Sequence, residues 1–473
     1  MNALSASFSE KFNNAPDFFK GSFQSKTGVE FTCLYLSSLT DNTMADNFVF
    51  RPLLTSIPPP SAAPDDTDLS RLYACIQHMQ VRYLTGFAAC EEALLGGCCI
   101  IMTQDDERAI AVDLCSFEQR SVSEPEMEAA IRGPREGFVE EWYRNLSLIR
   151  KKVRSGNLVF ENMIIGTETN TRVCLVYLKH LADKNLVDEF RRRLQAIQTD
   201  SILESAYIEE WIQDSTLTPF PQLMATERPD AIAAKLLEGK AAVITDGTPI
   251  VLAGPITFFE QFAAPEDYYQ RADIATLLRW LRMFSFLLSI FVPALFVSVI
   301  SFHQEILPAA MLANLAAQRE GVPFTGFLET SMMMVTFEIL REAGLRMPRI
   351  AGQAISIVGA LVLGQSAVEA GIVSASTVIV VSLTAISNFV APSYGFGIAQ
   401  RIVQFTFMCL AGLMGLYGLI CGVFILLIHL ASLRSFGVRY LTPIAPSVPS
   451  FWKDTLVRAP RPFLGRRPRR LRR

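Results

Sequence analysis

Residues 281–431 restrict the fold more than any other part of the chain, because they are built of long apolar runs. LRMFSFLLSIFVPALFVSVISF (281–302) carries Arg282 as its charged residue. A helix needs about 20 apolar residues to cross a ~30 Å hydrocarbon core. This run meets that length, and Pro293 should bend the helix rather than forbid it. IAGQAISIVGALVLGQSAVEAGI (350–372) and VSASTVIVVSLTAISNFVAP (373–392) read as two further spans with almost no loop between them. IVQFTFMCLAGLMGLYGLICGVFILLIHLAS (402–432) is too long for an upright crossing and must tilt, or kink at its glycines. Its Gly412, Gly415, Gly418 and Gly422 indicate tight helix packing. The intervening runs 303–320 and 323–344 are interrupted by Glu305, Glu329, Glu338, Arg341 and Glu342. They are expected to be interfacial or re-entrant helices packed on protein rather than on lipid.

The first 280 residues hold most of the acids and read as globular α/β. ALLGGCCIIM (93–102) and RAIAVDL (108–114) flank QDDE as a hairpin would. FVEEWYRNLSLIRKKV (138–153) has helical apolar spacing. LVFENMIIG (158–166) and RVCLVYL (172–178) flank the turn signal TETN, and VDEFRRRLQAI (187–197) is a charged amphipathic helix. A third strand pair is expected within 240–253, with Asp246-Gly247 in the turn. The prolines of IPPPSAAPDDTD (57–68) suit neither helix nor central strand. These observations divide the chain into an N-terminal segment with a proline-rich linker (1–68), an α/β subdomain (69–155), a second (156–265), a membrane domain (266–432) and a basic tail (433–473).

No GxGxxG after a strand, P-loop, GxSxG or HExxH is present, so no enzyme chemistry and no cofactor are expected. Four scattered His argue against a metal centre, and nine Cys without a repeated CxxC pattern suggest reduced thiols. MNALSASFSEKFNN lacks a basic region followed by an apolar core, so the globular half is expected to stay in the cytoplasm. The tail carries Arg434, Arg439, Lys453 and the terminal RRPRRLRR, which places it on the cytoplasmic side too. The number of spans must then be even, and four fit. Beside a membrane domain the expected partner of the arginine cluster is anionic lipid rather than nucleic acid.

Advancing 100° per residue along 350–372 separates two edges. Ser356, Ala360, Gly364, Ala367 and Gly371 form a small-residue stripe suited to close packing. Val358, Val362, Gln365 and Glu369 fall opposite. A carboxylate facing lipid is costly. Glu369 can instead sit in the headgroup zone at the end of its span. Alternatively the edge faces an aqueous path shared by several copies, with Glu369 drawing cations to a mouth and the valines closing it by dewetting.

The runs GPREGF (133–138), SLIRKKVRSG (147–156), YIEEWIQD (207–214), PFPQ (219–222), LLEGKAAVITDGTPIVL (236–252), REGVPF (319–324), EILREAGLRMP (338–348) and VGALVLGQSAVEAGIVS (358–374) together resemble the GerA family of spore germination proteins. In order and extent they look like the A subunit of a nutrient germinant receptor. The resemblance implies a multi-pass protein of the spore inner membrane, without enzyme activity. It further implies a multispanning B-type subunit that binds the nutrient and a C-type lipoprotein, with the A-type chains assembling in a ring as a nutrient-gated cation channel. Carried over, it makes Val358, Val362, Gln365 and Glu369 pore-lining or gate residues, and Pro323 and Pro348 hinges that couple to them. Two other readings stand beside it. One is a SpoVAF-like accessory channel that amplifies ion or dipicolinate release. The other is a secondary transporter or scaffold, which ranks lower because 281–432 shows no internal repeat.

Overall fold

The computed structural model describes residues 3–12, 15–55, 57, 67–76, 80–104, 106, 108–115, 128, 132–346 and 364–463. The chain divides into two compact units, Met1–Gln213 with Leu223–Pro255, and Asp214–Gln222 with Ile256–Arg466.

The first unit is built twice on one plan. Helix α1 (Ala3–Phe12) precedes the antiparallel pair β1 (Phe18–Gln24) and β2 (Glu30–Leu36). Helical turns over 42–55 and α2 (Asp68–Cys75) lead to β3 (Val81–Thr85), and α3 (Phe87–Leu95) leads to β4 (Cys98–Thr103) and β5 (Arg108–Asp113). Then α4 (Trp142–Lys152) precedes β6 (Leu158–Ile165) and β7 (Thr171–Leu178). Helices α5 (Lys184–Gln195) and α6 (Ser205–Ile212) lead to β8 (Met224–Thr226), and α7 (Pro229–Leu237) leads to β9 (Ala241–Thr245) and β10 (Val251–Gly254). The two five-stranded sheets have orders β1-β2-β4-β5-β3 and β6-β7-β9-β10-β8, and their strand pairs are antiparallel throughout. Each order is first, second, fourth, fifth, third in its own half.

Both sheets are covered on both faces, which is why β4 and β9 are buried along their whole length instead of alternating. In the first sheet Cys99, Ile101, Ile110 and Val112 pack with α2 and residues 45–57, while Cys98, Ile100, Ala109 and Ala111 pack with α1 and α3. The second sheet repeats this: Cys174, Val176, Ala242 and Ile244 pack with α4 and α7. Gly247 takes φ +85 in the expected Asp-Gly turn of β9 and β10, a conformation glycine adopts without a Cβ penalty. Residues 93–95, read as strand, end α3 instead, and the strand begins at Cys98.

The structure redraws the expected boundaries. β1 and β2, assigned to a separate N-terminal segment, share a sheet with β4 and β5. Residues 214–222 and 256–265, expected in the second subdomain, belong to the second unit. The two halves of the first unit are tied by Arg150 of α4, whose Nε and Nη2 donate to the Asp17 carboxylate at 2.7 and 2.8 Å. Neither side chain has any exposure, and the guanidinium also lies 4.7 Å from the centre of the Phe160 ring.

In the second unit, α8 (Ala272–Phe302), α9 (Ala309–Arg319), α10 (Gly326–Arg346), α11 (Ala375–Asn388) and α12 (Tyr394–Ser432) follow one another. Two described helices, α8 and α12, are long and apolar enough to cross a membrane. Of the four expected spans, 350–372 falls largely outside the described residues, and 373–392 contains the 14-residue α11. Pro293 lies inside α8 without ending it.

The last apolar run does kink, and sharply. Gly415 takes φ 59°, ψ −141°, and beyond it the chain doubles back. A Cβ on Gly418 would overlap the Leu410 carbonyl oxygen, and one on Gly422 would lie 3.3 Å from the Phe407 ring. In a straight helix residues 410 and 418 would be about 12 Å apart. The two ends of α12 share one aromatic cluster: Phe396 neighbours Phe258, Phe258 neighbours Phe220, and Phe220 neighbours His429. So α12 is a hairpin of two antiparallel legs.

Contacts along the legs set the direction of the other helices. α8 runs parallel to the first leg, with Phe286 stacked on Phe396 at one end and Phe302 against Gly415 at the other. α10 runs antiparallel to that leg: Phe327 meets Gly412, Ser331 meets Met408, and Glu338 meets Arg401. Of the two runs expected to be interfacial or re-entrant helices packed on protein, 303–320 contains α9, and most of 323–344 lies in α10, one continuous helix along the bundle. At the end where α8 begins, Asp267 accepts from Arg279 at 3.1 Å and Arg282 at 2.7 Å, and α13 (Pro449–Thr455) closes over Arg279.

Candidate functional site

The candidate site is the end of the helix that carries Gln365 and Glu369. Val358, Val362, Ser356, Ala360 and Pro348 lie outside the described residues. Residues 364–369 are helical. Gly364 is buried, with its Cβ position 3.7 Å from Val378 of α11, and Ala367 and Gly371 are half-buried. Gln365 and Glu369 are exposed, and the Gln365 amide donates to Glu369 Oε1 at 2.9 Å. Gly364 thus turns inward, with Ala367 and Gly371 partly covered, and the polar pair turns outward, four residues apart on one edge. Pro323 is exposed in the segment that joins α9 to α10.

The helix is stopped by Gly371, at φ +67, followed by amides of Ile372 and Val373 bonded back to the Ala367 carbonyl. This is the left-handed glycine cap that ends many helices. Ser374 then caps α11, accepting from the Thr377 amide. Glu329 of α10 braces this turn: fully buried, its Oε1 accepts from the backbone N–H of Ser374 and from its Oγ at 2.6 Å. Arg319 Nε stands 3.7 Å from the other carboxylate oxygen.

A second polar cluster lies deeper in the bundle. The Gln400 amide donates to Ser289 Oγ and to Asn388 Oδ1, and Asn388 in turn donates to Gln404 Oε1 at 3.0 Å. All four are buried, and they knit α8, α11 and the first leg of α12. Glu338 of α10 pairs with Arg401 at 3.1 Å and with Arg341 at 2.8 Å. The sequence reading passed over these amides. Their signal was available, since polar side chains inside apolar runs face protein and hydrogen-bond across helices.

Among the described residues no group of three or more His, Cys, Asp and Glu could hold a metal ion. What the site presents is a carboxylate and an amide on a helix edge, held by a capped turn and a buried acid.

Comparison with known proteins agrees along the chain. A family model described as Bacillus/Clostridium GerA spore germination protein matches residues 6–470. Spore germination protein KA of Bacillus subtilis (strain 168) is 42% identical over 91% of this chain and 79% of its own length. Spore germination protein GerLA of Bacillus cereus is 41% identical, over 92% of this chain and 88% of that one. Among solved structures, the N-terminal domain of the A subunit of the Bacillus megaterium spore germinant receptor GerK3 is 29% identical, covering 54% of this chain and 94% of that chain, with a TM-score of 0.42. With a family match over nearly the whole sequence and relatives above 40% identity across nine-tenths of it, the chain belongs to the GerA family of spore germination proteins.

Proposed function

We propose that this chain is the A subunit of a nutrient germinant receptor and that copies of it form a ring around a cation path in the spore inner membrane. A B-type multispanning subunit binds the nutrient and a C-type lipoprotein completes the receptor. Opening releases potassium and other ions and starts germination. The observation that carries this reading is the edge formed by Gln365 and Glu369, exposed and mutually bonded, on a helix whose Gly364 is buried against α11 of the same protomer. One helix cannot enclose a pore, so that edge needs copies of itself across an axis. Val358 and Val362 continue the edge inward in sequence and form the apolar constriction.

The proposed topology has six crossings. They are α8, α10, the run 350–372, the run 373–392 that contains α11, and the two legs of α12. The legs on either side of Gly415, residues 394–414 and 416–432, fall within the about 17–25 residues that one passage takes. Six is even, so the N-terminal half and the basic tail remain on the core side, where the tail meets anionic lipid. Val362→Ala tests the channel: spores carrying it should leak potassium or germinate without nutrient. Normal dormancy together with normal nutrient response would refute the gate.

A further inference from the structure

Glu329 has more claimants than it serves. Its Oε1 takes two hydrogen bonds from Ser374, whereas Oε2 is buried with no hydrogen-bond partner. Arg319 Nε is also buried without one, and the two atoms face each other at 3.7 Å. A hydrogen bond requires about 3.2 Å or less, and buried charges are stable only when paired and bonded. The present arrangement therefore satisfies the turn at Ser374 and leaves the Arg319–Glu329 ion pair at 3.7 Å, without a hydrogen bond between its two atoms.

The segment that carries Arg319 also touches the turn directly. The Gly321 carbonyl oxygen lies 3.4 Å from where a Cβ on Gly371 would stand. Gly371 follows Glu369 by two residues. Ser374 Oγ has other neighbours to accept it on release, Ser376 Oγ at 3.0 Å and Thr377 Oγ1 at 3.1 Å. A small shift that closes the Arg319–Glu329 gap would draw the acid off Ser374 and move the strap against the turn. Two alternative pairings of one buried group are the raw material of a bistable element.

We infer that Glu329 is a two-position latch: bonded to Ser374 it holds the end of the Glu369 helix at rest, and bonded to Arg319 it frees that turn to move. Glu329 is thus a positioning residue for the proposed conduction path, and the inference rests on that reading. It makes the two partners act in opposite directions.

The test uses spores in which the chromosomal gene carries Glu329→Ala, Ser374→Ala or Arg319→Met, with potassium release followed against a graded amino-acid and sugar mixture. Glu329→Ala releases the turn and lowers the mixture needed, to the point of release without any. Ser374→Ala shifts the same way by less, since the backbone N–H still bonds. Arg319→Met removes the competing partner and raises the half-maximal concentration roughly tenfold, a normal size for coupling between sites. Immunoblots of spore membranes monitor the amount of chain. Should Glu329→Ala be absent from membranes, the opposite shifts of the other two variants still decide. Shifts in the same direction for Ser374→Ala and Arg319→Met, or natural thresholds in both, overturn the latch. Val362→Ala assayed alongside separates the failures. If it leaks while the latch variants behave naturally, the latch falls and the channel stands; if all are natural, the channel reading falls with it.

Discussion

Gly415 makes the fold-back of α12 a measurable quantity. Replacing it with Ala places a side chain at φ 59°, ψ −141°, a region open essentially to glycine, at a cost of about 1–3 kcal/mol. The new Cβ would also stand 2.8 Å from His303 Cε1 and 2.9 Å from Phe302 Cβ. The second atom is no flexible tip, so the end of α8 must move, adding about 1–3 kcal/mol of overpacking. The sum, about 2–6 kcal/mol, corresponds to a fall in melting temperature of about 5–20 °C for a bundle of this size. The assay is thermal unfolding of the purified full chain in detergent. It is paired with a spin-label distance between Cys residues placed at Ile398 and Ile428, both exposed. In the folded hairpin the ends adjoin one aromatic cluster, so the labels should read well under 30 Å, against about 45 Å for a straight helix. A natural chain that reads near 45 Å, or a Gly415→Ala chain that melts unchanged, would refute the hairpin.

Two further predictions concern the first unit. Arg150→Ala strands the buried Asp17 carboxylate with Ser38 as its remaining side-chain donor. The expected loss is about 3–5 kcal/mol, read as a lower urea midpoint for protease resistance of residues 1–213, and an unchanged midpoint would contradict the clamp. Glu209 is pushed up to about 7 by burial, with Glu204 and Glu210 adding to the effect. The folded state therefore keeps a proton that the unfolded chain loses near pH 4.3. Its contribution is full below that value and disappears as pH rises through about 7. Glu209→Gln should accordingly raise the melting temperature more at pH 8 than at pH 5, and equal changes at both would count against it.

What could be read from sequence depended on whether the deciding neighbours were close along the chain. The pairs β6–β7 and β9–β10 were legible because each hairpin carries its own turn signal and an apolar run on either side. β1 and β2 were missed. β1 is a half-exposed edge strand whose alternation is broken at Lys20 and Gly21, so no periodicity announces it. The prolines of 57–68 lie outside the described residues, but the segment does not separate two sheets, because β4 pairs with β2 from beyond it. At the candidate site, the opposition of Gly364 to Gln365 and Glu369 follows from 100° per residue and needed no structure. The brace from Glu329 to Ser374 spans 45 residues, and no local rule reaches that far.

The second unit shows what hydropathy alone leaves out. Hydropathy sums the residues of a stretch without asking which of them meet lipid. α10 looks too acidic to lie along a bundle, but Glu338 is answered by Arg401 and Glu329 by Ser374, so its charged groups are spent on protein. At 402–432 the sequence asks for a tilt or a kink at a glycine, and α12 does kink at Gly415, but nothing in a hydropathy sum records that the chain reverses there. The reversal depends on a backbone conformation at Gly415 and on small residues at Gly418 and Gly422 that let the legs approach. In the proposed topology the acidic helix and the reversed leg each add one passage, and two added passages return the arginine tail to the side on which the sequence had placed it.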